Sequence, residues 1–467
     1  MKYNNTNVSG LNVAYIGGGS RGWAWGFMKD LAMDSQMEGT VRLYDIDRRA
    51  AEDNAIIGNK ISAHPQAEAR WKYEVADSLK DALAGADIVV ISILPGTFEE
   101  MRSDVHAPEA YGVWQSVGDT VGPGGLIRAL RTIPMYVTIA EAIRDYAPLA
   151  WVINYTNPMA LCVRTLYEVF PEVRAFGCCH EVFGTQKLLA AMLEDKMGIA
   201  GVTRQEIKVN VLGINHFTWL DCASYEGMDL FPLYEEFAEK YYESGFARGE
   251  DNNWMNNTFK SAHRVKFDLF RRYGLIAAAG DRHLAEFMPP WYLKDPATVT
   301  GWMFGLTGVD WRINDLKQRL AHSAALVSGN EPIDLTPSGE EGHLLIKALL
   351  GLGELVSNVN LPNRGQIANL PLGAVVETNA LFRRGEILPL QAGTLPGNVQ
   401  TLVIRHVCNQ ENTLRAAIDC DYKLALATFL NDPLMSRVDE RDGEALFKKM
   451  LKATAKYLPA GWNKVLA

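Results

Sequence analysis

Short apolar runs alternate with longer stretches of helical spacing through the first ~200 residues, the pattern of a doubly wound α/β sheet. Val13–Ile16, Val41–Tyr44, Ile88–Leu94 and Trp151–Asn154 read as buried strands. Between them Trp23–Met33, Arg48–Ile61 and Leu126–Tyr146 carry apolar residues at helical spacing and read as helices. Pro158 falls where a helix would begin after the fourth strand, which suits a residue without an N–H. Repeated strand–helix–strand units imply right-handed parallel crossovers, hence a Rossmann-type parallel sheet.

Beyond Ala200 the pattern turns mixed. Ile207–Leu212 reads as a strand, and Leu230–Tyr242, His263–Tyr273, His343–Val356 and Asp419–Leu430 read as helices. The polar stretch Ser244–Asn257 reads as a loop or lid, and Ala455–Ala467 as a tail. No clear linker separates the halves. The expected division is an α/β unit over residues 1–200 and a mixed α+β unit over residues 201–467, packed tightly together.

Composition narrows the function classes. No apolar run approaches the ~20 residues that span a bilayer, and Met1–Gly10 lacks the basic start and apolar stretch of a signal peptide. A cytoplasmic protein without a membrane partner is expected. The net charge of −9 comes with no basic stripe, which argues against nucleic acid as the main partner. Six cysteines, with Cys178 and Cys179 adjacent, make no disulfide framework in 467 residues.

The run Gly17-Gly18-Gly19-Ser20-Arg21-Gly22 follows a strand and precedes a helix, matching G-x-G-x-x-G. Gly17 permits the turn, Gly19 lets the backbone approach a pyrophosphate, and Gly22 allows close helix–strand packing. Asp45 ends the second strand 23 residues after Gly22, where a carboxylate would bind a ribose hydroxyl. It favours NAD over NADP, although Arg48 nearby weakens the preference. The plainer alternative is a structural glycine turn.

Further motifs follow in order: Gly118-Asp-Thr-Val-Gly-Pro-Gly-Gly125, Asn154-Tyr-Thr-Asn-Pro158, Cys179-His-Glu-Val182, Gly213-Ile-Asn-His-Phe217, and Asn360 to Pro371. Together they resemble glycoside hydrolase family four, the NAD- and metal-dependent glycosidases, from about Val13 to about Pro433. The resemblance implies a fold like that of lactate and malate dehydrogenases, a homodimer or homotetramer, and hydrolysis through transient oxidation. In that route NAD oxidises sugar carbon 3, and a base removes the proton on carbon 2. A metal ion stabilises charge on the adjoining oxygens, the group on carbon 1 leaves, and water and hydride are returned. The segment Cys179-His180-Glu181-Val182, with Gly280-Asp281-Arg282-His283-Leu-Ala-Glu-Phe287 downstream, is most similar to the α-galacturonidases of that family, whose substrates are uronic acid glycosides. α-Glucosidase and α-glucuronidase are the neighbouring expectations.

By that resemblance Cys179 and His216 would ligate the metal, commonly Mn2+, although a thiolate is not the donor that Mn2+ itself favours. Read alone, residues 37 apart make no metal motif, and a buried cysteine and a core histidine are the simpler reading. Asp119 and Asn157 correspond to sugar-binding positions; otherwise Asp119 orders a loop and Asn157 caps a helix. His180 occupies a position that assists leaving-group departure in some members, and Glu181 is expected to bind substrate. For the base at carbon 2 the candidate is Asp281, with His283 and Tyr273 as rivals and a salt bridge to an arginine as its structural alternative. Arg282 or Arg264 would meet the uronate carboxylate. A hydroxy-acid dehydrogenase and a non-catalytic NAD-binding protein remain as other classes.

Overall fold

The computed structural model describes residues 1–4, 6–247 and 261–466, so most of the expected lid lies outside the described residues. Its strands in chain order are β1 (Lys2–Asn4), β2 (Asn7–Ile16), β3 (Met37–Tyr44), β4 (Trp71–Val75), β5 (Ile88–Ile91), β6 (Trp151–Asn154) and β7 (Arg174–Gly177). They continue with β8 (Lys208–Ile214), β9 (Phe217–Tyr225), β10 (Met228–Asp229), β11 (Ile276–Ala277), β12 (Leu355–Pro362), β13 (Val375–Arg383) and β14 (Glu386–Pro389).

Parallel strands run β4-β3-β2-β5-β6-β7, the Rossmann order 3-2-1-4-5-6. All four residues of β5 are buried because helices cover both faces of the sheet. Val13, Tyr15, Val41 and Val90 pack toward the helices Trp23–Ala32 and Arg48–Ser62. Ala14, Ile16, Val89 and Ile91 pack toward Ile139 and Ile143 of the helix Gly122–Tyr146. The period-two alternation of the sequence thus divides two cores.

The expected helix over His343–Val356 ends at Leu349. Gly351 and Gly353 then take φ +82° and +152°, and the chain enters β12 instead. β12 joins β7 antiparallel, with Asn360 opposite Gly177, and β13 and β14 extend the same sheet. The expected helix over Asp419–Leu430 is also divided. Gly397–Asp419 ends at Cys420, φ +54°, and Tyr422–Leu430 restarts with Asp421 accepting from Leu424 N at 3.0 Å. A second, antiparallel sheet contains β8 to β11. No helix among the described residues is long and apolar enough to cross a membrane.

Candidate active site

The glycine loop joins β2 to the helix Trp23–Ala32. Gly17 and Gly18 both donate to Tyr44 O at 2.9 Å. At Gly17, φ +89°, a Cβ would lie 2.0 Å from the Ser92 carbonyl oxygen, so only glycine fits. Gly19 N donates to Asp45 Oδ2 at 2.9 Å, and Gly22 immediately precedes the helix. Asp45 therefore lies beside the loop, its carboxyl pushed up by burial against the pull of the Asp47 and Gly19 amides. Arg48 turns its charge to Glu52 and Asp77. Asn54 braces the turn from outside the motif: its Nδ2 donates to Gly18 O at 2.7 Å and Ser20 O at 3.0 Å.

The remaining motifs meet beyond the C-terminal ends of the parallel strands, where open α/β sheets bind ligands. Asn154–Pro158 follows β6, Cys179–Glu181 follows β7, and His216 lies in the tight turn between β8 and β9, at φ +64°. The loop before Gly122–Tyr146 is pinned by residues distant in sequence. Glu286 Oε1 accepts from Val117 N and Gly118 N, each at 2.8 Å, and Asp432 Oδ2 accepts from Gly122 N at 3.0 Å.

Asp119, His216 and His283 bring their donor atoms within 4.8 Å of one another. The His216 and His283 rings stack with centroids 3.8 Å apart. Thr120 Oγ1 donates to Asp119 Oδ1 at 2.9 Å and lies 3.0 Å from His216 Nδ1. Burial and the neighbouring His283 push His216 down to about 3, so the imidazole is neutral, as a metal ligand must be. Burial raises Asp119, but the surrounding positive charge, that of Arg128 foremost, outweighs it and holds the carboxyl below its ordinary range.

A second group lies alongside. Glu181 Oε2 accepts from Gly280 N at 2.6 Å, while Oε1 stands 3.8 Å from His283 Nε2 and 3.9 Å from His180 Nε2. His180 Nδ1 is 3.2 Å from Glu340 Oε1. Burial opposes the imidazolium, but Glu340 outweighs it and lifts His180 to about 9. Trp23 stacks with both Tyr155 and His180, with ring centroids 5.4 Å and 6.0 Å away.

Residues 12–195 match the family described as Family 4 glycosyl hydrolase, and residues 211–435 match its C-terminal domain. This chain belongs to glycosyl hydrolase family 4. It is 62% identical over 464 residues to an alpha-galacturonidase of Thermoanaerobacterium saccharolyticum, covering 99% of each chain. An alpha-galacturonidase of Bacillus subtilis is 53% identical over 442 residues, 95% of this chain and 97% of that one. The crystal structure of Bacillus subtilis lplD superposes with a TM-score of 0.90 at 52% identity, covering 95% of this chain and 100% of that one. A 6-phospho-alpha-glucosidase from gut microorganisms, solved with NAD and Mn2+, shares the fold at TM-score 0.79 and 20% identity, covering 96% and 99%. The protein is a glycoside hydrolase.

Within this family 4 enzyme the expected site residues fall into different places. His216, Asp119, His180 and Glu181 lie in the two groups just described. Asn157 does not cap the helix after Pro158; its carbonyl accepts from Arg128 Nε at 3.1 Å and its buried Oδ1 has no partner among the described residues. Cys179 is 6% exposed and its thiol bonds Asn215, the neighbour of His216, so it adjoins the donor cluster without being part of it. Asp281 is fully buried, and its oxygens accept from Val265 N and Lys266 N, both at 3.2 Å, at the start of the helix Arg264–Tyr273. Arg282 reaches Thr307, whereas Arg264 binds Tyr242 O, Gly301 O and Glu243. Tyr273 packs edge-on against Trp219.

Thr120, Asn54, Glu286, Glu340 and Arg312 were not singled out from the sequence. Thr120 and Glu286 stood inside motifs and carried a usable signal; Asn54, Glu340 and Arg312 lie outside every motif. A carboxylate beside an imidazole suits a hard-to-borderline divalent cation better than a thiolate beside an imidazole. At Gly17, Gly18 and Gly19 a Cβ would collide with Ser92, Leu43 or Ala50, so only glycine lets the loop lie this close to the strands, and the turn before the helix suits a pyrophosphate.

Proposed function

We propose that this enzyme is an α-galacturonidase that uses NAD and a divalent metal, with Mn2+ the preferred ion. The observation that carries the substrate is the 62% identity over essentially the whole of both chains to a protein of that activity. NAD and Mn2+ in a family 4 neighbour, with the glycine loop and donor cluster of this chain, support the cofactors. We further propose a cytoplasmic homodimer or homotetramer, with residues 1–200 binding NAD and residues 201–467 supplying much of the metal and substrate site.

When bound, NAD would supply reversible oxidation of the sugar, and the metal would supply positive charge that stabilises negative charge developing on sugar oxygens. Gly17, Gly19, Gly22 and Asp45 would hold the dinucleotide. His216 and Asp119 would hold the metal, with Cys179 available from the adjoining strand end. Asn157 offers its free Oδ1 to a sugar hydroxyl. His180, protonated through Glu340, gives its proton to the departing glycosidic oxygen. Glu181 lies between His180 and His283 and balances the positive charge on His180.

The proton on carbon 2 goes, in this reading, to His283 rather than Asp281. His283 borders His216 and its Nδ1 has no partner among the described residues, while Asp281 holds two helix amides. Release of p-nitrophenol from its α-galacturonide, with NAD and Mn2+ each present or omitted, tests the function. Turnover needing both, without accumulation of NADH and with preference over the α-glucuronide and α-glucoside, is expected. NADH accumulating without glycoside cleavage would instead identify a dehydrogenase.

A further inference from the structure

Three guanidinium groups converge on the Asp119 side of the donor cluster. Arg128 comes from the helix Gly122–Tyr146, Arg282 from Asp281–Phe287, and Arg312 from Val309–Ser328. Arg128 and Arg312 both act on Asp119 electrostatically, and Arg312 also depresses Arg282 and Arg128, so the three cations share one small region. Arg128 is 5% exposed and Arg282 8% exposed, while Arg312 is partly open to solvent.

The protein balances only part of their charge. Asp119 is ionised, whereas Asp104 is paired with Arg131 and Asp315 with Arg319, and Glu286 is pushed up to about 8 by burial and is neutral at pH 7. Hydrogen bonding is also incomplete. Arg128 Nη1 and Arg312 Nε are shut off from solvent with no partner among the described residues. Buried N–H groups of a cation cost stability when unpaired, so a site built this way calls for an anion with several acceptor oxygens. Arg282 is already directed at Thr307, and Arg264 is committed elsewhere, which leaves Arg128 and Arg312 for the ligand.

We propose that Arg312, together with Arg128, binds the carboxylate of the uronic acid and so selects galacturonides over galactosides. The assignment rests on the α-galacturonidase reading and adds the residue that reads the acid group. A guanidinium matches a carboxylate with two parallel N–H···O bonds, whereas the hydroxymethyl group of a galactoside leaves the cations unpaired.

The test compares wild type, Arg312→Gln and Arg312→Lys by calorimetric binding of free galacturonate and galactose with Mn2+ present, and by kcat/KM on the two p-nitrophenyl α-glycosides. Wild type is expected to favour the acid in both measurements. Arg312→Gln should lose roughly 10- to 100-fold in galacturonate affinity, the range for one charge-assisted contact, with Mn2+ affinity and melting unchanged. Arg312→Lys, the milder variant should Gln impair folding, keeps the charge and should recover part of the loss. Unchanged discrimination in folded Arg312 variants, or a loss confined to NAD binding, would overturn the clamp while leaving the α-galacturonidase reading intact. A wild-type protein that prefers neither galacturonate nor its glycoside would overturn both.

Discussion

Thr120 Oγ1 gives its proton to Asp119 Oδ1 at 2.9 Å, which leaves the oxygen to accept from His216 Nδ1 at 3.0 Å. One hydroxyl thus fixes the imidazole tautomer and leaves the Nε2 lone pair free for a metal, as groups hydrogen-bonded behind a metal ligand do. Replacing Thr120 with Val removes both bonds at little change in shape. Thr120→Val is expected to weaken Mn2+ binding about 10- to 100-fold, measured by calorimetry, and Thr120→Ser to restore it. Equal affinity in Thr120→Val would mean that the tautomer is set by another group.

His283 and Asp281 separate through paired variants. His283→Gln is expected to lower kcat about 100-fold or more while Mn2+ affinity stays within a few-fold. Collapse of Mn2+ affinity would make His283 a ligand instead. Asp281→Ala should leave the Val265 and Lys266 amides unsatisfied and cost about 2 kcal/mol in denaturant unfolding, with kcat per folded molecule nearly unchanged. A large loss of kcat at full stability would return the base to Asp281.

Cys179 is buried, and burial, aided by the charges of Glu377 and Glu181, holds its thiol well above the usual range. Alkylation of the metal-free protein should therefore be slow at this residue, because the thiol rather than the thiolate is present. Cys179→Ser is expected to abolish turnover and weaken Mn2+ binding without lowering the melting temperature. Retained turnover and metal affinity would remove Cys179 from the metal site.

Glu286 couples stability to pH. Its folded pKa, about 8, lies above the ordinary glutamate value, so the folded state holds this proton more tightly. The contribution is fully present below the unfolded pKa and is lost as pH rises through about 8. Glu286→Gln keeps an oxygen for Val117 N and Gly118 N but never ionises. Its melting temperature should rise relative to wild type between about pH 5 and pH 8. A difference that stays flat across that range would show that Glu286 ionises as readily in the folded protein as in the unfolded chain.

The amino-acid order alone determined what depends on neighbours along the chain. A strand, a turn that only glycine can make, and a helix specify the Gly17–Gly22 cradle within a few residues, and Asp45 follows at the end of the next strand. Period-two and helical spacing carried the parallel sheet because each strand must bury both faces. Tertiary structure decided what depends on contacts between distant segments. Asp119, His216 and His283 come from three separated elements, and no spacing rule brings their side chains within 4.8 Å. Asp281 became a helix cap because the chain returned Arg264–Tyr273 to it, and β12 joined β7 because two glycines stopped a helix that apolar spacing alone would have continued. Arg128 and Arg312 look like ordinary solvated cations in the sequence; packing removes their water, and that desolvation turns charge into a demand for a particular ligand.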